Sequence, residues 1–327
     1  YHRDVHDPAT LARLADLIPD RGHLDDLLAL TWADTRATNP ELLNAWKQGL
    51  LEQAFRAAVS ALEGESPHGA LVATRSRVEE LLVAEVGRKR APILTERLFA
   101  EPHAPSLARH EPSALAEQAV LLDELAEGAP FASSVRHQPE QGVSWWTVAL
   151  PDQPGVFSLL AGALTAAGFS IASGEATTRS DGVALDRFGV QDARGRHVPD
   201  ARRWKRLERI LADSLADPDS LAARLEVVLR TAPVGPRPGA MDLQGFLVTN
   251  EESDVATVVE VVTPDRPGLV HGIARAIFES GLDLRVAKIS TRQDLASDTF
   301  YVVDGRGRPL SAARRKALAR LLRERFA

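Results

Sequence analysis

Two short turns hold the residues whose types and spacing suit them best to chemistry. Pro151-Asp152-Gln153-Pro154-Gly155-Val156-Phe157 returns 113 residues later as Pro264-Asp265-Arg266-Pro267-Gly268-Leu269-Val270. Proline fixes φ, and glycine lets the chain turn sharply and come close to a bound group. A helix starting just after each glycine would present unpaired amides that can hold a carboxylate. Asp152 or Asp265 beside those amides could pair with an ammonium group, so each turn offers partners for both charges of a small amino acid. The plainer alternative is that the two aspartates only cap helices around a shaped turn.

The turns belong to a longer repeat. Gly168 and Gly281, Ile171 and Leu284, and Thr178 and Thr291 match at the same offset. One residue out of step, Asp186-Arg187-Phe188-Gly189-Val190 matches Asp298-Thr299-Phe300-Tyr301-Val302, and both copies then reach Arg-Gly-Arg, at 194–196 and 306–308. Ordered matches over such a span indicate a duplicated domain. In the first copy the pattern predicts a strand over 145–150, a helix over 156–167, a hairpin of 171–178 and 184–190 around Ser180-Asp181-Gly182, and a charged helix over 200–214. The second copy predicts strands at 257–262, 284–291 and 299–303 and helices at 269–280 and 311–323. A β-α-β-β-α unit lacks one strand of a four-stranded βαββαβ sheet. Segments 133–137 and 246–250 stand just ahead of their copies, so each copy is expected to take its last strand from its N-terminal side. Residues 231–240, rich in proline and glycine, read as the linker.

Before the repeat, residues 1 to about 127 read as helices. Asp7-Pro8 starts one, Leu24, Leu27, Leu28 and Thr31 mark another, and Asn39-Pro40 starts a third with Trp46 on its apolar side. Helical stretches around Val78 to Leu82 and Leu115 to Leu125 form a connector broken by Pro92, Pro102, Pro105 and Pro112. A net charge of −6 argues against a general nucleic-acid or anionic-membrane surface. The absence of cysteine excludes disulfides and thiolate metal sites and suits a cytoplasmic protein. The apolar stretch 156–172 is too short and too interrupted to span a bilayer. The chain opens without methionine, on Tyr1-His2-Arg3-Asp4, so it is expected to be a piece of something longer.

The two copies resemble ACT domains, ferredoxin-like regulatory modules that bind amino acids at this turn, often across a pair of domains. Asp265-Arg266-Pro267-Gly268-Leu269 is the closer match; the first copy has Gln153 for arginine and Val156 for leucine. The second departs after Thr291, at Arg292-Gln293-Asp294. Upstream, Arg3-Asp4-Val5-His6-Asp7-Pro8, Leu30-Thr31-Trp32-Ala33-Asp34-Thr35-Arg36-Ala37-Thr38-Asn39-Pro40 and Asn44-Ala45-Trp46-Lys47 are similar to the end of the HD phosphohydrolase domain of the PII-protein uridylyltransferase/uridylyl-removing family. The resemblance implies an α+β chain: 1–60 as the end of an HD domain, 61–130 as a helical connector, 131–230 and 231–327 as two ACT domains.

It also implies a glutamine-sensing region of an enzyme that attaches a uridylyl or adenylyl group to the PII signalling protein and hydrolyses it off. The intact enzyme would use Mg²⁺ or another divalent metal. Glutamine would bind at Asp265, Arg266, Pro267, Gly268 and Leu269, the primary site, and at Asp152, Gln153, Gly155, Val156 and Phe157. Asp34 matches the later metal-binding aspartate of the HD set. The His-Asp pair and the nucleotidyltransferase domain would lie upstream, so no catalytic set is complete here and this chain alone is expected to be inactive. His6-Asp7 spells the pair but aligns with a different block, and Asp217-Pro218-Asp219 lacks the Gly-Ser partner that nucleotide transfer needs. The partners implied are PII and a small amino acid, with pairing between ACT domains or copies of the chain, and neither nucleic acid nor membrane. Two other readings stay open: a stand-alone double-ACT amino-acid sensor without catalysis, and an autonomous metal phosphohydrolase. The basic runs Arg202-Arg203-Trp204-Lys205-Arg206 and Arg314-Arg315-Lys316 read as solvated faces or as contacts for PII.

Overall fold

A computed structural model describes residues 17–38, 55, 58–59, 62, 67–100, 107, 110–231, 245–251, 253, 255–292 and 295–326. The helices expected from Pro8 and Pro40, His2, His6, Trp46, most of the linker and Gln293-Asp294 lie outside these residues. The chain divides into two compact units, Tyr1–Glu127 and Gly128–Ala327.

The first unit is helical where described: α1 (Arg21–Thr38), α2 (Pro67–Val86), α3 (Ala91–Phe99) and α4 (Pro112–Ala126). Asp20 caps α1, its carboxylate accepting the His23 amide at 3.0 Å and lying 3.0 Å from the His23 ring. Helices α2, α3 and α4 pack together and bury Val78, Leu82, Leu94, Leu98, Leu115, Ala119 and Leu122. The helical run is interrupted ahead of two of the expected prolines, each of which starts the next helix. Pro92 and Pro112 occupy the first turns of α3 and α4, where the missing N–H has no partner to lose. Arg97 reaches Asp123 at 3.1 Å, and Arg90 bridges Asp123 and Glu127, tying α3 and its approach to α4.

The second unit is one antiparallel sheet of eight strands. In chain order they are β1 (Ala132–Gln138), β2 (Val143–Pro151), β3 (Ser170–Glu175), β4 (Val183–Gln191), β5 (Gly245–Thr249), β6 (Thr257–Pro264), β7 (Leu282–Arg292) and β8 (Leu295–Asp304). Their order across the sheet is β1-β2-β4-β3-β7-β8-β6-β5. Helices α5 (Val156–Ala166), α6 (Ala201–Ala216), α7 (Pro218–Thr231), α8 (Leu269–Glu279) and α9 (Ala312–Phe326) complete it. Each copy therefore runs β-β-α-β-β-α, and its first strand takes the outer edge of its half. β1 pairs with β2 from Ala132↔Ala149 to Gln138↔Val143, and β5 pairs with β6 from Gly245↔Val262 to Thr249↔Val258. The expected supply of a strand from the N-terminal side is met in both halves.

Strand alternation sends one face to a shared core. Trp146, Val148 and Leu150 of β2, Phe188 of β4 and Phe300 of β8 are fully buried, with the Phe188 ring 5.8 Å from Trp146 and 5.5 Å from Phe157. Helix α7 was not foreseen. It follows α6 directly because Asp217 ends one helix and caps the next, accepting the Asp219 amide at 3.1 Å. Asp217-Pro218-Asp219 is thus a helix start.

The halves join edge to edge through β3 and β7, in the register Ser173↔Ser290, Gly174↔Ile289, Glu175↔Lys288. Glu175 and Lys288 are the same position in the two copies, as are Ser158 and His271, which meet between α5 and α8. His271 Nδ1 donates to the Ser158 carbonyl at 2.7 Å, and the Ser158 hydroxyl reaches the His271 carbonyl at 3.4 Å. An approximate twofold axis passes through both contacts. Opposite charges at Glu175 and Lys288 spare the join the like-charge repulsion that identical copies would suffer there. Gly162 gives the His271 ring room, since a Cβ there would lie 2.8 Å from Nδ1. Burial holds the His271 imidazole below its usual range and keeps it neutral at pH 7.

Candidate functional site

Both turns form as their residues dictate. β2 ends at Pro151 and β6 at Pro264, and α5 and α8 start at the next residues after Gly155 and Gly268. Those glycines take φ of +83° and +79°, a region that strains any residue with a Cβ. No side chain caps either helix; the Val156 and Leu269 amides bond back to the Gln153 and Arg266 carbonyls at 3.0 and 3.1 Å, and the amides that follow lie at the positive end of a helix dipole. Asp152 is held by its own amide, which donates to Gly182 at 2.8 Å. Asp265 Oδ1 accepts the Arg266 amide at 2.8 Å.

Approximate twofold symmetry puts each turn against the other copy. Asp152, Gln153, Gly155, Val156, Phe157 and Ser158 line a shallow, solvent-open cleft whose far wall is Ala274, Ile277, Phe278, Leu282, Asp283 and Leu284. All five first-copy residues expected at a ligand site are thus brought together, with a wall from the second copy that residue types alone did not reveal. Burial and the Asp283 carboxylate raise the Asp152 pKa, opposed by a hydrogen bond from Thr178 and by Arg285. Arg285 pairs with Asp283 at 3.2 Å and is the extra residue where the β7 register slips between Leu284 and Val286. Bulges of this kind re-aim side chains. The matching slip in β3 falls at Ala172, between Ile171 and Ser173. Ser170 and Ala172 stand where the second copy has Asp283 and Arg285, so the charged pair exists on one side only.

The second turn has a different neighbour. A Cβ placed on Gly268 would lie 2.8 Å from Leu229 Cδ2, at the end of α7, and 3.6 Å from Thr165. Arg266 stands 5.8 Å from the centre of the Phe326 ring. Asp265, Arg266, Pro267, Gly268 and Leu269 are in place around the start of α8, with α7 against them.

Curated relatives align over almost all of these elements. A relative from Novosphingobium aromaticivorans described as a bifunctional uridylyltransferase/uridylyl-removing enzyme is 32% identical over 99% of this chain and 35% of its own length. One of the same description from Phenylobacterium zucineum is 35% identical over 96% of this chain and 33% of its own. Over nearly its full length the chain matches bifunctional uridylyltransferase/uridylyl-removing enzymes. It spans about a third of the length of those relatives. No family model matches. A solved aspartate kinase from Synechocystis aligns with a TM-score of 0.33 and 15% identity over 57% of this chain and 28% of that one, too slight a likeness to bear on the fold.

Asp34 is solvent-exposed on α1, and among the described residues no three His, Asp or Glu side chains stand together as a metal site. The described residues therefore do not assemble a divalent-ion site around Asp34. The basic runs on α6 and α9 are partly structural. Arg206 donates to the Ala166 carbonyl at 3.2 Å and Arg203 to that of Gly168, while Arg314 donates to Ser280 at 3.2 Å and Gly281 at 3.4 Å. These arginines close the carbonyl ends of α5 and α8, where positive charge is favoured. Among the described residues no helix is long and apolar enough to cross a membrane.

Two buried carboxyls escaped the sequence reading, which used Asp186 and Asp298 only as landmarks of the repeat. Each sits on the inward face of its strand, 2% and 1% exposed. Oδ1 accepts a backbone amide, Thr177 at 3.2 Å and Ser290 at 3.1 Å, while Oδ2 has no hydrogen-bond partner. Burial pushes Asp186 up to about 8 and Asp298 up to about 7, helped by Asp152 and Asp265 respectively. An aspartate at an inward strand position in both copies was the available signal.

Proposed function

We propose that residues 131–230 and 231–327 form two ACT domains that sense glutamine for an enzyme that nucleotidylylates the PII signalling protein and removes the group, in control of nitrogen assimilation. The observation that carries the reading is the cross-copy cleft at Asp152. There the α5 amides face a ligand carboxylate while Asp152 and Asp283 face its ammonium group. The match to uridylyltransferase/uridylyl-removing enzymes supplies the context, and a cytoplasmic location, a Mg²⁺-dependent transferase and the PII partner follow from it as parts of the same proposal. Asp34 would contribute one carboxylate to a metal site completed by residues other than those described.

Because the cleft has walls from both copies, a ligand there favours the arrangement in which α5 and the start of β7 are close. It can bias two opposed activities only through such a difference in affinity. Calorimetric titration of the chain with L-glutamine, L-glutamate and L-serine tests the reading. Saturable binding of glutamine at the expense of the others is the expected result; heat no greater than dilution for all three would remove it.

A further inference from the structure

At the first turn two carboxyls are joined through neighbouring residues. Thr178 hydrogen-bonds the Asp152 carboxylate at the cleft, and the amide of Thr177, one residue earlier, donates to Asp186 Oδ1 at 3.2 Å. Backbone bonds hold this hairpin against the turn: the Asp152 amide donates to Gly182 at 2.8 Å and the Leu185 amide to Thr177 at 2.9 Å. Asp186 is 2% exposed, its Oδ2 has no hydrogen-bond partner, and among the described residues no cation pairs with it. Ionised, it would be an unpaired buried charge, so it carries its proton at pH 7. The charged groups acting on it are Asp152 from the end of β2 and Glu175 from the end of β3, and those acting on Asp152 are Asp283 and Arg285 of β7. Glu175 lies opposite Lys288 in the join, which leaves Asp152 as the neighbour whose charge a ligand in the cleft can cancel.

We infer that a cationic group seated beside Asp152 draws the proton from Asp186, so that occupancy of the first turn is linked to proton release. The inference rests on the amino-acid-sensing reading above and adds its regulation. An ammonium group there cancels the field of Asp152, and the ionised form of Asp186 becomes less costly. Buried as it is, Asp186 acts on the ligand through Asp152 rather than by contact. Because the occupied form holds fewer protons, affinity for the amino acid rises with pH across the range in which Asp186 ionises. In the second copy Asp298 is equally buried, but the hydroxyl of Thr291, the counterpart of Thr178, reaches the Ile171 carbonyl across the join at 3.5 Å, which makes Asp298 the control.

Calorimetric titration of the full chain with L-glutamine at about pH 7.5, in buffers of low and high ionisation enthalpy, counts the protons. Release of about a third of a proton or more per ligand is expected, with affinity about threefold higher at pH 8 than at pH 6. Asp186→Asn, which stands in for the protonated carboxyl, should bind without release, and Asp298→Asn should keep it. A ligand-free measurement accompanies this: in a carboxyl-carbon NMR titration, Asp186 should ionise about threefold more readily in Asp152→Asn than in the wild type. Glutamine binding without proton release overturns the linkage, as does release that persists in Asp186→Asn or an Asp186 titration unmoved in Asp152→Asn. A moved titration with no heat from glutamine supports the linkage and overturns glutamine as the ligand.

Discussion

The two copies share a backbone plan and differ in what stands over the turn. At the first, Asp152 faces a cleft walled by Asp283 and Phe278. At the second, Gly268 is met by Leu229. Residue identity ranks the second turn first, because Asp265-Arg266-Pro267-Gly268-Leu269 is the closer match to an amino-acid-binding turn. Their walls differ instead: a Cβ on Gly155 would meet the Phe278 ring at 3.2 Å, and one on Gly268 would meet Leu229 at 2.8 Å. A duplicated domain can therefore keep one backbone turn in both copies and change the wall it meets, since a motif is made of neighbours in sequence and a wall of neighbours in space.

The sharpest way to break this comparison is to place a side chain on each turn glycine. Gly155→Val should lower glutamine affinity by about a hundredfold or more, while Gly268→Val, whose Cβ would push against Leu229 rather than into the Asp152 cleft, should change it by less than about threefold. Both should cost stability of about 1–3 kcal/mol from the positive φ. Equal losses of binding in the two variants would put both turns on the same footing.

The buried aspartates probe what the copies share. Between the ordinary carboxylate range and about pH 8 for Asp186, or about pH 7 for Asp298, the folded chain holds a proton that the unfolded chain has released. Fewer protons on the unfolded state means that stability falls as pH rises across that window. Urea midpoints should accordingly drop from pH 5 to pH 8, and Asp186→Asn should flatten the slope more than Asp298→Asn does, by an amount on the order of 1 kcal/mol. A slope in Asp186→Asn as steep as in the wild type would sink this assignment.

The charged pair on β7 is the one-sided feature of the cleft wall. Asp283→Asn should weaken glutamine about tenfold by removing one partner of the ammonium group. Ser170→Ala, its counterpart in the first copy, should leave affinity within about twofold. The smallest expected effects lie at the helix ends. Arg203→Ala and Arg314→Ala should each lower stability by about 0.3–1 kcal/mol in thermal or urea unfolding, the value of a cation at a helix C-terminus. Unchanged stability in both would make these arginines part of a solvated face after all.

Much of the fold was legible because it is written in local terms. Aromatic and β-branched residues from Trp145 to Leu150 mark β2, and the Pro-Gly turn and its repeat mark α5 and α8. Counting strands led to the edge positions of β1 and β5. Helix α7 was missed because Asp217-Pro218-Asp219 has the spacing of a metal-binding pair and also that of a helix cap, and only the amide contact from Asp219 separates them. Pro92 and Pro112 were legible as breaks in the helical run because proline disrupts a helix from inside and is tolerated in its first turn.

By itself the sequence determined the duplication, the glycine-headed helices and the acid beside each, because proline, glycine and strand alternation act on the nearest few residues whatever lies beyond. Tertiary structure alone decided that Asp283 and Phe278 face Gly155 across the β3–β7 join, that Leu229 lies over Gly268, and that Asp186 and Asp298 lose their water. Those contacts span the approximate twofold axis or the depth of the core, and burial and apposition are properties of packed surfaces that no local pattern encodes.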